Sequence, residues 1–285
     1  LLQLGKSLPP SSLMFAKFSP DGNSVAYVSG NNIYVENLAT GQIQAMTTDG
    51  TVTLINGTFD WAYEEEFFCR DGFRWSPDSK SIAYWQIDAG QIKKFYMINN
   101  TDSIYSQIIP IEYPKVGENP SSCRVGVVSI ENTKTTCLDI PGDPVQHYIV
   151  RMEFVPNTQN ILIQQLNRKQ NQSRLYLVDN TNGSVKLVYE ETDEAWIDVY
   201  QPGNPYAIDF TNKFSFNKAG NSIIWASEKD GWRHLYEVNL DGKPENLITK
   251  GKFDVIDIKL IDQVSSTIYF LASPDNATQS YLYRV

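Results

Sequence analysis

Phe18-Ser19-Pro20-Asp21-Gly22-Asn23-Ser24-Val25-Ala26-Tyr27 returns later in the chain as Trp75-Ser76-Pro77-Asp78-Ser79-Lys80-Ser81-Ile82-Ala83-Tyr84. A degraded copy is Phe154-Val155-Pro156-Asn157 followed by Ile161-Leu162-Ile163. A fourth is Phe216-Asn217-Lys218-Ala219-Gly220-Asn221-Ser222-Ile223-Ile224-Trp225, and a weaker fifth is Ser265-Ser266-Thr267-Ile268-Tyr269-Phe270. Each copy sets an aromatic or apolar strand end, a polar turn and a β-branched or aromatic run in the same order. Pro fixes φ, while Asp, Asn and Gly reverse the chain. Most copies are followed by a second strand of the Ile33-Tyr34-Val35 or Leu235-Tyr236-Glu237-Val238 kind, then a turn and a third strand. Successive copies lie about 57, 79, 62 and 45 residues apart, the scale of one four-stranded propeller blade plus variable loops. The expected fold is therefore all-β, a β-propeller of four-stranded antiparallel blades, about five of them readable, with residues 1–285 forming one propeller domain. A β-sandwich is the competing all-β reading, but it would not reuse one turn at this spacing.

Composition narrows the function. Thirty-three acidic residues face 24 basic ones, a net charge of −9, which argues against nucleic acid, since phosphate recognition needs a basic face. Hydrophobic residues make up 41% of the chain, too many for a disordered segment. No apolar run approaches the roughly 20 residues of a membrane helix. The chain opens on Leu1 without a signal-peptide pattern, which leads to the expectation of a processed form or a piece of something longer. Cys69, Cys123 and Cys137 fit no zinc spacing; Cys123 and Cys137 flank a strand-turn-strand pattern, where either a bridge or inert buried thiols would fit. No metal and no cofactor is expected. His147 and His234 both sit in strand-like runs with no nameable catalytic partner, so each reads as structural. A Gly-x-Ser-x-Gly elbow, a phosphate-binding loop and a dinucleotide fingerprint are all absent.

One cluster stands apart: Asp60-Trp61-Ala62-Tyr63-Glu64-Glu65-Glu66-Phe67-Phe68. A Glu run is ordinarily a solvated face. Here Trp61, Tyr63, Phe67 and Phe68 are expected to anchor the segment on packed structure and hold the carboxylates in place. Repulsion between them raises the pKa of one member of a close pair. A fixed carboxylate pair is a receptor for an ammonium group or a metal ion. On the residues alone, a surface helical turn and a cation-binding site both remain open.

The cluster closely resembles the Asp-Trp-Val-Tyr-Glu-Glu-Glu motif of the dipeptidyl peptidase IV family, in its bacterial form. Three stretches agree in order: Arg70-Asp71-Gly72-Phe73-Arg74-Trp75 running into Ile82-Ala83-Tyr84-Trp85-Gln86, Ile111-Glu112-Tyr113-Pro114-Lys115-Val116-Gly117, and Ser227-Glu228-Lys229-Asp230-Gly231-Trp232-Arg233-His234. The resemblance implies an eight-bladed propeller joined to a C-terminal α/β-hydrolase domain with a Ser-Asp-His triad, so this chain would be a non-catalytic part, inactive alone. It implies that Glu65 and Glu66 bind the free α-amino group of peptides, with Pro or Ala preferred second. It matches Tyr200, in Trp196-Ile197-Asp198-Val199-Tyr200, to an aromatic of the substrate pocket. It further implies gating of substrate access, a homodimer, and a periplasmic, extracellular or cell-surface location. The arginine that assists the glutamates in the family is expected upstream of this chain, and truncation at both ends is expected. Ala62 stands where the family has Val. Sequons occur at Asn56, Asn99, Asn171, Asn182 and Asn276, which matter only in a eukaryotic secretory route. The alternatives are a non-enzymatic propeller module for protein partners and, more remotely, a carbohydrate-active propeller with paired carboxylates.

Overall fold

A computed structural model describes residues 3–199 and 214–285. The chain divides into two compact units, Leu1–Tyr148 and Ile149–Val285. The architecture is all-β, of β-propeller type, and its sheets follow one another along the chain as antiparallel meanders.

In the first unit, β1 (Met14–Phe18), β2 (Ser24–Ser29), β3 (Asn32–Asn37) and β4 (Ile43–Ala45) form the first sheet in sequence order. The second sheet is irregular. Its first-strand position is shared by two short pieces, β5 (Leu54–Asn56) and β6 (Phe73–Trp75). Between them lies α1 (Trp61–Phe67). Both pieces pair antiparallel with β7 (Ser81–Asp88), β5 at its far end and β6 at its near end. A separate hairpin of β8 (Lys94–Asn99) and β9 (Gln107–Glu112) then leaves the sheet. The chain returns as β10 (Ser122–Ser129), paired with β7, and β11 (Thr135–Cys137). The first two sheets pack through Ala26, Val28 and Ile33 of one and Phe73, Ile82, Tyr84 and Val128 of the other, all buried. Fully burying such a side chain contributes about 1.5–3 kcal/mol.

In the second unit, β12 (His147–Phe154), whose first two residues belong to the first unit, begins a regular sheet with β13 (Asn160–Asn167), β14 (Gln172–Asp179) and β15 (Val185–Thr192). A further four-stranded sheet comprises β16 (Ser215–Phe216), β17 (Ser222–Ser227), β18 (His234–Asn239) and β19 (Asn246–Leu247). A three-stranded sheet follows: β20 (Val255–Asp262), β21 (Thr267–Ala272) and β22 (Tyr281–Arg284). Leu162 and Leu175 pack with Ile223, Trp225 and Val238. Leu235 packs with Ile268 and Phe270.

The repeated turn is one hydrogen-bonded object. Ser19 N–H donates to the Ser24 carbonyl at 2.8 Å, and Ser76 N–H to Ser81 at 2.9 Å. Val155 N–H donates to Asn160 at 2.8 Å, and Asn217 N–H to Ser222 at 2.9 Å. The Ser19 and Ser76 hydroxyls donate to Asp21 and Asp78, whose carboxylates in turn accept from Asn23 and Lys80 N–H. These bonds hold both aspartates below the usual carboxylate range.

Both histidines lie in strands, as expected. His147 Nε2 lies 3.2 Å from the Cys123 carbonyl, and burial pushes its pKa down. His234 Nδ1 lies 2.7 Å from Asp230 and its ring meets Phe253 edge-on. The three cysteines are free thiols, and Cys137 pairs in register with Gly126, three positions along β10 from Cys123. No helix among the described residues is long and apolar enough to cross a membrane.

Candidate functional site

The excursion that carries the glutamates is closed at its neck. Gly57 N–H donates to the Trp85 carbonyl, Trp85 N–H to Gly72, and Gly72 N–H to Gly57, each at 3.0 Å. The two crossing backbones touch: a Cβ on Gly72 would lie 2.6 Å from the Gly57 carbonyl carbon. Gly57 itself has φ +77°, a conformation that side-chain-bearing residues rarely adopt. The Thr58 hydroxyl donates to the Arg70 carbonyl at 3.1 Å, a second clasp. The first strand of the second sheet is thus interrupted without being broken.

Inside the loop, Asp60 caps α1, its carboxylate accepting from Tyr63 N–H at 3.2 Å. Burial pushes the Asp60 pKa up, opposed by the Tyr63 N–H and the nearby Ser121 hydroxyl. Seven residues are too few for a helix to persist alone in water, so packing must hold it. Ala62, Tyr63 and Phe67 supply the buried face. Tyr63 stacks on Phe59 at 5.5 Å, and Phe59 meets Trp85 edge-on at 5.2 Å. Phe67 lies 4.9 Å from Tyr148. Trp61 is half-buried, 4.1 Å from the Tyr113 ring.

Phe68 departs from expectation. It does not anchor the segment: it terminates the helix in the left-handed region (φ 54°, ψ 27°), its N–H returning to the Tyr63 carbonyl. That reversal turns its ring outward, 48% exposed.

Glu65 and Glu66 occupy the exposed side of this clamped turn, while Glu64 is half-buried. Burial raises the Glu64 pKa, with the neighbouring Glu65 and Asp60 charges adding to it and Arg70 opposing. The surface helical turn is therefore observed, with Glu65 and Glu66 exposed on it. Two adjacent carboxylates offer acceptors for all three N–H groups of an ammonium. Tyr200 lies outside the described residues. Two parts of this region do not follow from the sequence: the glycine neck, whose two residues are separated by the whole loop, and the contact of Tyr113 with Trp61. The stretch around Tyr113 is visible in sequence, but its ring contact joins it to a helix residue 52 positions earlier in the chain.

The profile of the dipeptidyl peptidase IV N-terminal region matches residues 3–285. A dipeptidyl peptidase 4 of Arthroderma otae is 27% identical over 282 residues, covering 96% of this chain and 35% of that protein. The crystal structure of Porphyromonas gingivalis dipeptidyl peptidase 4 superposes with a TM-score of 0.86 at 28% identity, covering 96% of this chain and 37% of that one. The chain thus spans about a third of the length of the relatives it matches.

Proposed function

Since this chain belongs to the dipeptidyl peptidase IV N-terminal-region family, we propose that it holds the free α-amino group of peptide substrates between Glu65 and Glu66. As the N-terminal region of a dipeptidyl peptidase IV-like enzyme, it would gate access while a C-terminal α/β-hydrolase domain supplies the serine chemistry. The observation that carries this is a carboxylate pair exposed on a turn capped at Asp60, packed through Tyr63 and Phe67, and necked at Gly57 and Gly72. Preformed negative charge favours an ammonium over an internal amide, which confines binding to peptide ends. Pro or Ala at the second peptide position and a periplasmic, extracellular or cell-surface location belong to the same reading. Asn56 bears on any glycosylation along that route: it is fully buried, its amide nitrogen donating to Asp49 and Asn31, so this sequon is closed in the folded chain.

The test is kinetic, in the full-length enzyme. Glu65→Gln with Glu66→Gln removes two charge-assisted contacts, each about 1.5–3 kcal/mol. We expect kcat/KM for a Gly-Pro chromogenic substrate to fall on the order of a hundredfold or more, and discrimination against the N-acetylated substrate to collapse. Unchanged kinetics would remove the amine assignment.

A homodimer is part of the proposal. Its support is the β8–β9 hairpin, which exposes Tyr96, Ile98, Ile104, Tyr105 and Ile108 and pairs with no other strand among the described residues. A lone two-stranded hairpin is marginally stable in water. Charged substitution of Ile98 and Ile108 should shift the full-length enzyme to monomer in sedimentation analysis; an unchanged mass would place the interface elsewhere.

A further inference from the structure

We propose that Tyr113 is a positioning residue, which ties the exposed β8–β9 hairpin to helix α1 and thereby sets where the glutamate pair stands. The inference rests on the reading of Glu65 and Glu66 as the amine anchor.

Helix α1 is fixed on one side by its buried aromatic residues, as described above. Its first residue, Trp61, meets a different element. Tyr113 immediately follows β9 and its ring lies 4.1 Å from Trp61 at 42°. On its other side, Phe95 of β8 approaches Tyr113 at 5.8 Å and 45°. Tyr113 N–H donates to the Lys93 carbonyl at 3.1 Å, closing the hairpin at its base, and Lys94 pairs with Glu112 at 3.6 Å. Three rings, Phe95, Tyr113 and Trp61, therefore run in series from the hairpin to the first turn of the helix. None of the three is fully buried, so the series is not simply core. Ring centroids within about 4.5–7 Å are the range in which aromatic pairs attract beyond simple burial, and the Trp61–Tyr113 pair is closer still.

The geometry gives this contact leverage. A seven-residue helix cannot hold its own orientation. Glu65 follows Trp61 by four residues, one helical turn along the same side, so a change in how Trp61 is seated turns the carboxylates with it. Binding through two point contacts tolerates little misplacement. The hairpin carries large exposed apolar residues at both strands and tip, and Phe95 is one of them.

The test uses the full-length enzyme carrying Tyr113→Ala, Tyr113→Phe or Phe95→Ala, with Glu66→Gln as reference. Hydrogen exchange at the Glu64 and Cys69 amides, which bond to Asp60 and Tyr63 across the two ends of α1, reads the helix directly. In Tyr113→Ala we expect about two- to tenfold faster exchange there, the size of one aromatic pair. We expect KM for Gly-Pro chromogenic substrate to rise by a similar factor with kcat within twofold. Tyr113→Phe, which keeps the ring, restores both; Phe95→Ala moves both in the same direction by less. Unchanged exchange in α1 overturns the proposal whatever the kinetics. Faster exchange with KM unchanged in Tyr113→Ala, while Glu66→Gln raises KM, overturns it too. Faster exchange with KM unchanged in both variants supports the positioning role and instead sinks the amine reading.

Discussion

The second and third sheets share one plan and differ in what interrupts it. In the third, β12 to β15 are eight residues each, joined by short turns, with β13 and β14 paired continuously from Asn160↔Asp179 to Leu166↔Ser173. In the second, the first strand is cut by the Gly57–Gly72 loop, and the β8–β9 hairpin is inserted in the connection between the continuously paired β7 and β10. The long strand β7 nevertheless runs unbroken, because β5 and β6 pair with its two ends as if they were one strand. The difference shows where a repeat fold can carry function. Pairing on both sides of an insertion leaves the sheet intact, so the insertion is free to present charge. The same excursions cost regular strand, and the exposed helix must be held by caps and rings in place of a ladder.

That contrast predicts opposite responses to substitution, and the largest effect belongs to the regular sheet. Leu162 is fully buried in β13, among Leu175, Ile223 and Trp225. Leu162→Ala should cost about 2–5 kcal/mol, read as a lowered urea midpoint, because the cavity cannot refill with water-free contacts. Glu65→Gln and Glu66→Gln, on an exposed turn, should stay within about 0.5 kcal/mol of the parent. If the two glutamine variants unfold as early as Leu162→Ala, the division between scaffold and insertion is false.

Legibility in the sequence divides along the same line. The Ser-Pro-Asp turn could be read at Ser19 and Ser76 because its hydrogen bonds are local, each closing within five residues. They survive in the degraded copy at Val155 and the Asn217 copy, where other residue types make the same backbone closure. The glutamate cluster can be read as a candidate cation site, and Tyr63 and Phe67 pack as their types require. Phe68 was misread because nothing in its residue type announces a left-handed backbone. The neck formed by Gly57 with Gly72 and the Trp61–Tyr113 contact were unreadable for a different reason: each joins residues far apart in sequence, and one sequence carries no record of such distances. The hairpin offers an apolar run, Phe95-Tyr96-Met97-Ile98, that looks like any buried strand.

A smaller effect tests what holds the insertion. Asp60 is both N-cap and a carboxylate whose pKa burial raises. Asp60→Ala should cost about 1 kcal/mol through loss of the cap. Asp60→Asn keeps the acceptor and removes the charge. Because the folded-state pKa lies above the unfolded one, the native state retains a proton that the unfolded chain has released. Stability from this group is therefore present at low pH and is lost as pH rises from the ordinary carboxylate range through the raised value. Stability measured across that window should fall less steeply for Asp60→Asn than for the parent. A parallel slope would mean the carboxylate is not buried as described.

The smallest effect sharpens the comparison at one backbone position. Phe68 stands at φ 54° where helices commonly end on Gly. The left-handed conformation costs a residue with a Cβ about 1–2 kcal/mol, while Gly gives up about 0.5–1 kcal/mol to its greater freedom when unfolded. Relief of the backbone and loss of the buried half of the ring oppose each other, so Phe68→Gly should change stability by at most about 1 kcal/mol. A clear loss of stability would show that the ring packs more than its exposure suggests. Retained stability with a raised KM would instead mean that the left-handed turn is kept to aim the ring beside Glu65 and Glu66, strain held at a binding surface as in other functional loops. The regular third sheet contains its own left-handed residue, Asn157 at φ 60°, in the turn before β13. Asn suffers less there than Phe does at the end of α1. Asn157→Gly should accordingly stay within the same limit and leave KM untouched, which separates a turn that only reverses the chain from one that also displays a side chain.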